Sequence, residues 1–395
     1  MIEPYKGVRD FYPEDQRIQN YIFAAMRRAV ESFGYEEYNA SILESTELYT
    51  AKTSEEIIKE QTYTFTDRGE RSVTLRPEMT PTVARMVAAR KRELGFPLRW
   101  YCIQNFFRYE RPQRGRLREF WQLNADLFGV SGTEADVEVI TLAYRVMKEL
   151  GASDTDFSIR IASREFLDFA YDAAGIAKEK RQEMTRMLDS KGKDAELPTE
   201  LLNALSKSET FGYFEKLQHS LRERGITNVV IDVTIARGFD YYTGVIFEVF
   251  DTNSANKRSM FGGGRYDNLV GQYGSESVPA VGFAMGDVIA RDFLETHDLL
   301  PTLPPTTKLY LAPASEKDFA EAAAFADSLR TEGVNVAVGM KHEKIADHIK
   351  AALKLGIPHF AVYGEKEKQS GMITLKNIKT AEEKNVALTD LPSAL

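Results

Sequence analysis

Cysteine is almost missing from this 395-residue chain: Cys102 stands alone, so no internal disulfide can form, and the expected home is the reducing cytoplasm. The start, Met1-Ile2-Glu3-Pro4-Tyr5, lacks the basic segment and apolar run of a secretory leader. No stretch approaches the roughly 18 uncharged apolar residues of a membrane span. Positive charge is not in excess: 51 Lys and Arg against 59 Asp and Glu leave a formal charge of −8. A polyanion must therefore be met by a local basic patch and not by the field of the whole chain. There is no GxxxxGK[ST] loop, and Gly262-Gly263-Gly264 fails GxGxxG because position 267 is Asp. The histidines His219, His297, His342, His348 and His359 show no metal-ligand spacing, so no metal site in the protein is expected. What remains, 43% apolar and 28% charged residues, is the composition of an ordinary globular protein of two or three domains.

Residues 14–33 repeat apolar side chains at helical spacing and stop at Gly34. Thr74–Met79 reads as extended because Pro77 pushes Arg76 out of helical geometry. Thr80-Pro81 then supplies an N-cap hydroxyl and a first-turn proline for a helix to about Leu94. Leu98–Tyr109 and Glu119–Val130 are aromatic and β-branched around an arginine-rich connection, the pattern of a long hairpin with a charged loop. Residues 134–150 read as helix, and 176–224, rich in Lys, Glu, Arg and Leu, as a small helical insertion. Strand patterns resume at Val229–Ile235, Val245–Phe250 and within Val278–Leu294. Leu299–Thr307 is a proline-rich linker. Beyond it, strands 308–312, 335–339 and 359–363 alternate with helices 316–331 and 344–355, which predicts a separate α/β domain with parallel strands.

Four constellations carry chemistry. In Phe120–Phe128, Gln122, Asn124 and Asp126 fall on one strand face and Trp121, Leu123, Ala125 and Leu127 on the other. The polar face is either a solvated sheet face or a binding surface. Beside it, Arg108, Arg111, Arg114, Arg116 and Arg118 place five arginines in eleven residues, planar forks suited to phosphate oxygens or a solubilising hairpin tip. Arg76, Glu78 and Thr80 recur at spacing two before a helix N-terminus, where Glu78 can hold an ammonium or complement the helix dipole. Ala236–Gly244, with Arg237, Asp240, Tyr241 and Tyr242, has the make-up of a binding loop or of a turn with a satisfied Arg–Asp pair. Phe261–Asp267 puts three glycines where backbone must approach a ligand or another strand.

These motifs, Leu75–Thr80, Phe107–Arg116, Ala236–Thr243 and Gly262–Asp267, resemble those of histidyl-tRNA synthetases in kind and order, and the likeness runs from Gly7-Val8-Arg9-Asp10-Phe11 to the C-terminal segment. The resemblance implies an α+β class II synthetase fold: an antiparallel six-stranded catalytic sheet flanked by helices, a helical insertion, a C-terminal α/β anticodon-binding domain, and a homodimer. It implies catalytic sheet residues in 1–165 and 227–298, the insertion at 166–226, the linker at 299–307 and the anticodon domain at 308–395. It implies activation of L-histidine with ATP and Mg²⁺ and transfer to tRNA(His), with no membrane partner. Arg108 and Arg237 are then catalytic. ATP is bound by Arg108, Glu110, Phe120 stacking on adenine, and Arg116, in a mobile loop, on the terminal phosphates. Histidine is bound by Glu78 and Thr80 at its ammonium and by Gln122, Asp126, Arg237, Tyr241 and Tyr242. Basic patches for tRNA are Arg85, Arg90, Lys91, Arg92 and Arg99, and the Arg111–Arg118 loop.

Two departures from the family pattern stand out. Where most members read Gly-Leu-Glu-Arg, this chain has Gly286-Asp287-Val288-Ile289, with Ile in the arginine position and Arg291 two residues on. The first motif has Ser41 before Ile42-Leu43-Glu44 where proline is usual. The alternative is the synthetase-like, histidine-binding regulatory subunit of ATP phosphoribosyltransferase. Such subunits lack the Arg-Gly-Phe-Asp-Tyr-Tyr loop and the anticodon domain, and this chain has both.

Overall fold

The computed structural model describes residues 2–50, 61–163, 209–232, 241–256, 258–274, 276–340 and 344–395, with positions 169, 171, 172, 175–177, 180, 181 and 235. Its contacts divide it into one unit of Met1–Tyr12 and Ile18–Leu300 and another of Pro13–Arg17 and Pro301–Leu395.

The first unit contains, in chain order, α1 (Pro13–Glu31, whose first five residues are grouped with the second unit), β1 (Glu36–Glu37), β2 (Leu43–Ser45), α2 (Glu47–Thr50), β3 (Tyr63–Thr66), β4 (Ser72–Leu75), α3 (Thr80–Arg90), β5 (Leu98–Phe107), β6 (Glu119–Phe128), α4 (Thr133–Glu149), β7 (Phe157–Ser163), α5 (Glu209–Glu223), β8 (Val229–Ile231), β9 (Val245–Asp251), β10 (Ser259–Arg265), β11 (Ala280–Gly286) and α6 (Asp287–Thr296). The main sheet runs β1-β5-β6-β11-β10-β9-β7-β8. Its six inner strands are antiparallel, as expected, and β1 and β8 add one parallel strand at each edge. Those edge strands are two and three residues long, too short to show a two-residue period in sequence. The predicted hairpin is β5–β6, in register from Leu98 opposite Phe128 to Phe107 opposite Glu119. A three-stranded sheet, β2-β4-β3, stands beside it.

Side-chain alternation gives the main sheet two unlike faces. Leu123, Ala125 and Leu127 of β6, Val281, Phe283 and Met285 of β11, and Val245, Phe247 and Val249 of β9 are buried with the apolar stripes of α1, α4, α5 and α6 in one core. At about 25 cal/mol per Å² of apolar area buried, this layer is the main stabilising contribution. The opposite face is not capped by this layer, and the polar residues lie there. A smaller core of Val83, Ala84 and Val87 of α3 with Leu269, Val270 and Ala280 backs Tyr241 and Tyr266. Helix α3 begins with Thr80 inside it and Met79 at the cap, with no side-chain cap bond. It ends at Arg90, four residues short of the expected Leu94, where the Glu93 N–H turns back to the Arg90 carbonyl.

The second unit holds β12 (Leu309–Pro313), α7 (Phe319–Thr331), β13 (Val336–Val338), α8 (Ile345–Lys354), β14 (His359–Tyr363), α9 (Glu365–Ser370), β15 (Met372–Asn377), β16 (Glu383–Ala387) and α10 (Leu391–Ala394). In the sheet β13-β12-β14-β15-β16, β12 is parallel to both β13 and β14, as the alternation predicts. The antiparallel hairpin β15–β16 makes the sheet mixed. Only Ile373, Leu375 and Val386 of that hairpin are buried, so its apolar period is diluted by Lys, Thr, Asn and Glu. Among the described residues, no helix is long and apolar enough to cross a membrane.

Candidate active site

The uncapped sheet face is hollow because its middle strands lack side chains. Across β6, β11, β10 and β9 one row reads Asp126, Gly282, Gly264, Ile246, and the next reads Asn124, Ala284, Gly262, Glu248. Glycines and one alanine occupy the centre, and the polar residues stand at the sides. The result is a cavity of about 220 Å³, lined among others by Glu78, Thr80, Arg108, Gln122, Asn124, Asp126, Tyr241, Tyr242, Glu248 and Tyr266. A Cβ on Gly282 would strike the Asp126 carboxylate and the Ala125 carbonyl, and one on Gly263 would strike the Gly282 carbonyl. The glycine run therefore serves both strand packing and the cavity, and Gly264 leaves room for the Tyr242 ring. The polar face of β6 is not a solvated one: Asn124 and Asp126 are each 4% exposed.

Asp126 accepts a hydrogen bond from the Tyr266 hydroxyl. Burial pushes its carboxyl up to about 7, against the lowering effect of that bond. Glu78, also buried, accepts from the Tyr241 hydroxyl at 3.1 Å. Burial raises the Tyr241, Tyr242 and Tyr266 phenols, so all three remain protonated donors. The wall is thus rich in acceptors and in neutral hydroxyls, suited to a ligand that carries N–H groups.

A second cavity, about 650 Å³, adjoins the first and shares Arg108, Gln122 and Ala284 with it. Glu110, Arg114, Gly115, Arg116, Phe120, Arg258, Gly286 and Ile289 lie on its wall. Arg108, just past the end of β5, donates its Nε to the Pro77 carbonyl at 2.9 Å and lies 5.4 Å from the Phe120 ring centroid. Its terminal nitrogens have no hydrogen-bond partner among the described residues. Phe120 stacks on Phe106 at 5.9 Å. The loop expected to be mobile is closed by Gln113–Arg116 backbone bonds of 3.0 and 2.9 Å with Gly115 at φ +76°, a conformation that favours glycine. Arg114 ties it to α6 through Asp292 at 2.7 Å and Thr296 at 2.9 Å. Arg116 bonds Glu110 at 3.2 Å.

Every described site residue predicted from sequence lines one of these two cavities: Glu78, Thr80, Asp126, Tyr241 and Tyr242 the first, Glu110, Arg116 and Phe120 the second, Arg108 and Gln122 both. Arg237 lies outside the described residues. Sequence reasoning missed Tyr266 and Glu248, although Glu248 is a carboxylate in the middle of the otherwise apolar run Val245–Phe250 of β9 and Tyr266 stands two residues after the glycine run. Arg76 is structural: it is 1% exposed and donates to the carbonyls of Asn105 at 2.9 Å and Ala40 at 2.8 Å. Arg265 is structural too, in a buried pair with Asp136 at 2.8 Å. The expected basic patch on and after α3 is largely neutralised, because Arg85, Arg90, Lys91 and Arg99 pair with Glu44, Glu93, Glu276 and Glu138. Burial raises the Cys102 thiol to about 12, which leaves it unreactive.

The chain resembles known proteins over nearly its whole length. A family model described as histidyl-tRNA synthetase matches residues 7–210 and 192–287, and an anticodon binding domain model matches 308–395. A histidine–tRNA ligase of Leptospira biflexa is 40% identical, covering 95% of this chain and 93% of its own. One of Halobacterium salinarum is 34% identical, covering 100% and 98%. The crystal structure of a histidyl-tRNA synthetase from a Nostoc species shares the fold, with a TM-score of 0.81 over 100% of this chain and 99% of that one at 22% identity. The sequence matches extend through the strands that line both cavities, and this chain belongs to the histidyl-tRNA synthetase family.

Proposed function

We propose that the protein activates L-histidine with ATP to histidyl-adenylate and transfers the histidyl group to the 3′ end of tRNA(His). The observation that carries the reading is the position of Arg108, whose unpartnered terminal nitrogens stand where an acceptor-rich amino-acid cavity meets an arginine-lined nucleotide cavity. A carboxylate oxygen of histidine in the first cavity attacks the α-phosphorus of ATP in the second, the bond to the β-phosphate breaks, and pyrophosphate leaves. No proton has to move. The work is charge stabilisation on the α-phosphate, by Arg108 and by Arg237, four residues before Tyr241. Glu78 and Thr80 take the ammonium, and Gln122, Asp126, Tyr241 and Tyr242 surround the imidazole. A cavity that hydrogen-bonds its ligand rejects an apolar isostere because its own buried groups would be stranded. Glu110 and Phe120 take the adenine end and Arg116 the terminal phosphates.

ATP enters as its magnesium complex, and the ion supplies charge neutralisation on the phosphates. The cavity fits such an ion, since Mg²⁺ is usually held by one or two carboxylates plus substrate phosphates. With Glu110 at the adenine end, its wall offers Asp292, which also pairs with Arg114, and the described residues contain no group of three or more His, Cys, Asp or Glu side chains for a resident metal. In the second step the terminal ribose hydroxyl attacks the activated carbonyl and AMP is expelled. Residues 1–165 and 227–298 carry this chemistry, 166–226 form an insertion, 299–307 a linker, and 308–395 read the anticodon by contacts to unstacked bases. The protein acts in the cytoplasm as a homodimer, a reading consistent with exposed Leu43 on β2 and Phe65 on β3.

The test is histidine-dependent exchange of labelled pyrophosphate into ATP, with Mg²⁺ and no tRNA, followed by histidylation of tRNA(His). Exchange with histidine alone among amino acids is expected. Histidine binding without exchange would overturn the reading in favour of a synthetase-derived regulatory subunit of ATP phosphoribosyltransferase.

A further inference from the structure

Arg258, at the end of the β9–β10 loop, is the one cation on the wall of the nucleotide cavity that makes no hydrogen bond or ion pair among the described residues. Four arginines and two carboxylates line that cavity: Arg108, Arg114, Arg116 and Arg258 against Glu110 and Asp292. Arg116 is matched by Glu110 and Arg114 by Asp292, so two positive charges remain uncompensated, on Arg108 and Arg258. Arg108 belongs to both cavities and therefore faces the α-phosphate. Arg116, read above as reaching the terminal phosphates, shares its charge with Glu110, so the triphosphate calls for a further cation, and α6 provides none: its contribution is Val288, Ile289 and the paired Asp292. Helix α6 also cannot supply Arg291, which pairs with Glu295 at 2.8 Å and is not on the wall.

Residues 251–256, which precede Arg258 by two positions, are cross-linked by hydrogen bonds. The buried Asp251 carboxylate accepts the Asn253 N–H at 2.7 Å, the Asn256 amide and the His297 ring nitrogen at 2.8 Å. Asn253 in turn accepts the Ala255 N–H at 2.9 Å. The chain leaves this knot and re-enters the sheet at Ser259, with Arg258 exposed beside Ser259, Met260 and Phe261, which line the same cavity. A guanidinium with five donors and no partner among the described residues, on the wall of a cavity whose described side chains carry net positive charge, is a phosphate-binding group by its chemistry.

We infer that Arg258 binds the β- and γ-phosphates of ATP, the part that leaves as pyrophosphate, and so supplies the charge that Ile289 and the rest of α6 do not. The assignment rests on reading this cavity as the nucleotide site. Its test is calorimetric titration of the full-length protein with Mg-ATP, Mg-pyrophosphate, AMP and histidine, for the wild type, Arg258→Ala and Arg258→Lys. Arg258→Ala is expected to weaken ATP and pyrophosphate by about tenfold to a hundredfold, the range for one charge-assisted hydrogen bond. AMP and histidine affinities stay unchanged, and Arg258→Lys recovers most of the loss. Unchanged ATP affinity in the alanine variant, or AMP weakened as much as ATP, overturns the inference. Wild type that binds ATP but shows no exchange would overturn the synthetase reading alone, whereas wild type that binds no ATP would overturn both.

Discussion

Replacing Asp126 by Asn should make the unliganded protein more stable, and more so as pH rises. The carboxyl is buried and titrates at about 7 in the folded protein, against roughly 3.9 in an unfolded chain. Between those values the folded state holds the proton that the unfolded state has lost, so unfolding releases it and stability falls with increasing pH. The penalty is absent well below the unfolded value, grows as pH rises, and levels off above about 7. With roughly 1.4 kcal/mol per pH unit, it is about 1–2 kcal/mol at pH 5 and about 4 kcal/mol at pH 8. Asn carries no such penalty, and its amide oxygen can still accept from Tyr266. The stability advantage of Asn over Asp should therefore grow by about 2–3 kcal/mol from pH 5 to pH 8. At roughly 2.1 cal/mol/K per residue for a unit of nearly 300 residues, that is a widening of about 4 °C in the Tm difference. Thermal unfolding of both proteins at the two pH values, without histidine, measures it. An unchanged Tm difference would refute a buried carboxyl titrating near neutrality. The same substitution should weaken histidine binding, since a cost borne by the empty site is repaid only when a ligand N–H meets the ionised carboxylate.

Arg237→Ala should keep the fold and histidine binding but lose adenylate formation by a factor on the order of 10²–10³, the range for one preorganised charge-stabilising group; near-normal exchange would remove Arg237 from the chemistry. Asp126→Ala should weaken histidine while leaving ATP binding nearly unchanged, because Asp126 lines the smaller cavity only. Calorimetry with equal histidine affinities would contradict that division. Arg265→Ala should destabilise by about 3–5 kcal/mol, the cost of stranding a buried charge such as Asp136. A denaturation midpoint equal to wild type would show that Arg265 is not the structural member of its motif.

Legibility in the sequence followed element length and period. The β5–β6 hairpin was plain because ten residues on each side keep their alternation, and α1 was plain because its apolar stripe persists for five turns. The parallel edge strands β1 and β8 and the hairpin β15–β16 were not, being too short or too polar to carry a period. The site was legible where polar residues interrupt an apolar pattern, as at Gln122, Asn124 and Asp126. What one dimension could not show is that the hollow itself is made by absence: Gly262, Gly264, Gly282 and Ala284 meet only when β10 and β11 pair in register, between the polar residues of β6 and β9. Arginine side chains were the least legible. Arg76 and Arg265 look like their neighbours in the same motifs, yet each turns to core acceptors, carbonyls for Arg76 and the Asp136 carboxylate with them for Arg265, while Arg108 and Arg258 keep nitrogens without partners among the described residues at a cavity.

The departure at Gly286-Asp287-Val288-Ile289 fits that last distinction. Asp287 opens α6 fully buried, and its carboxylate accepts from Arg9 at 2.7 Å, Gln19 at 2.8 Å and the Trp121 backbone N–H at 2.9 Å. One side chain therefore fixes the N-terminal segment, α1 and the first residues of β6 against the helix, with its charge at the favourable end of the helix dipole. Phe120 and Gln122, on either side of Trp121, are held at the cavity wall by that anchor. Two residues on, Ile289 turns an apolar side chain toward the nucleotide cavity beside Gly115. With α6 committed to anchoring, the electrostatic demand of a triphosphate has to be met from another element. The β9–β10 loop, knotted around Asp251, brings the remaining uncompensated cation to that wall.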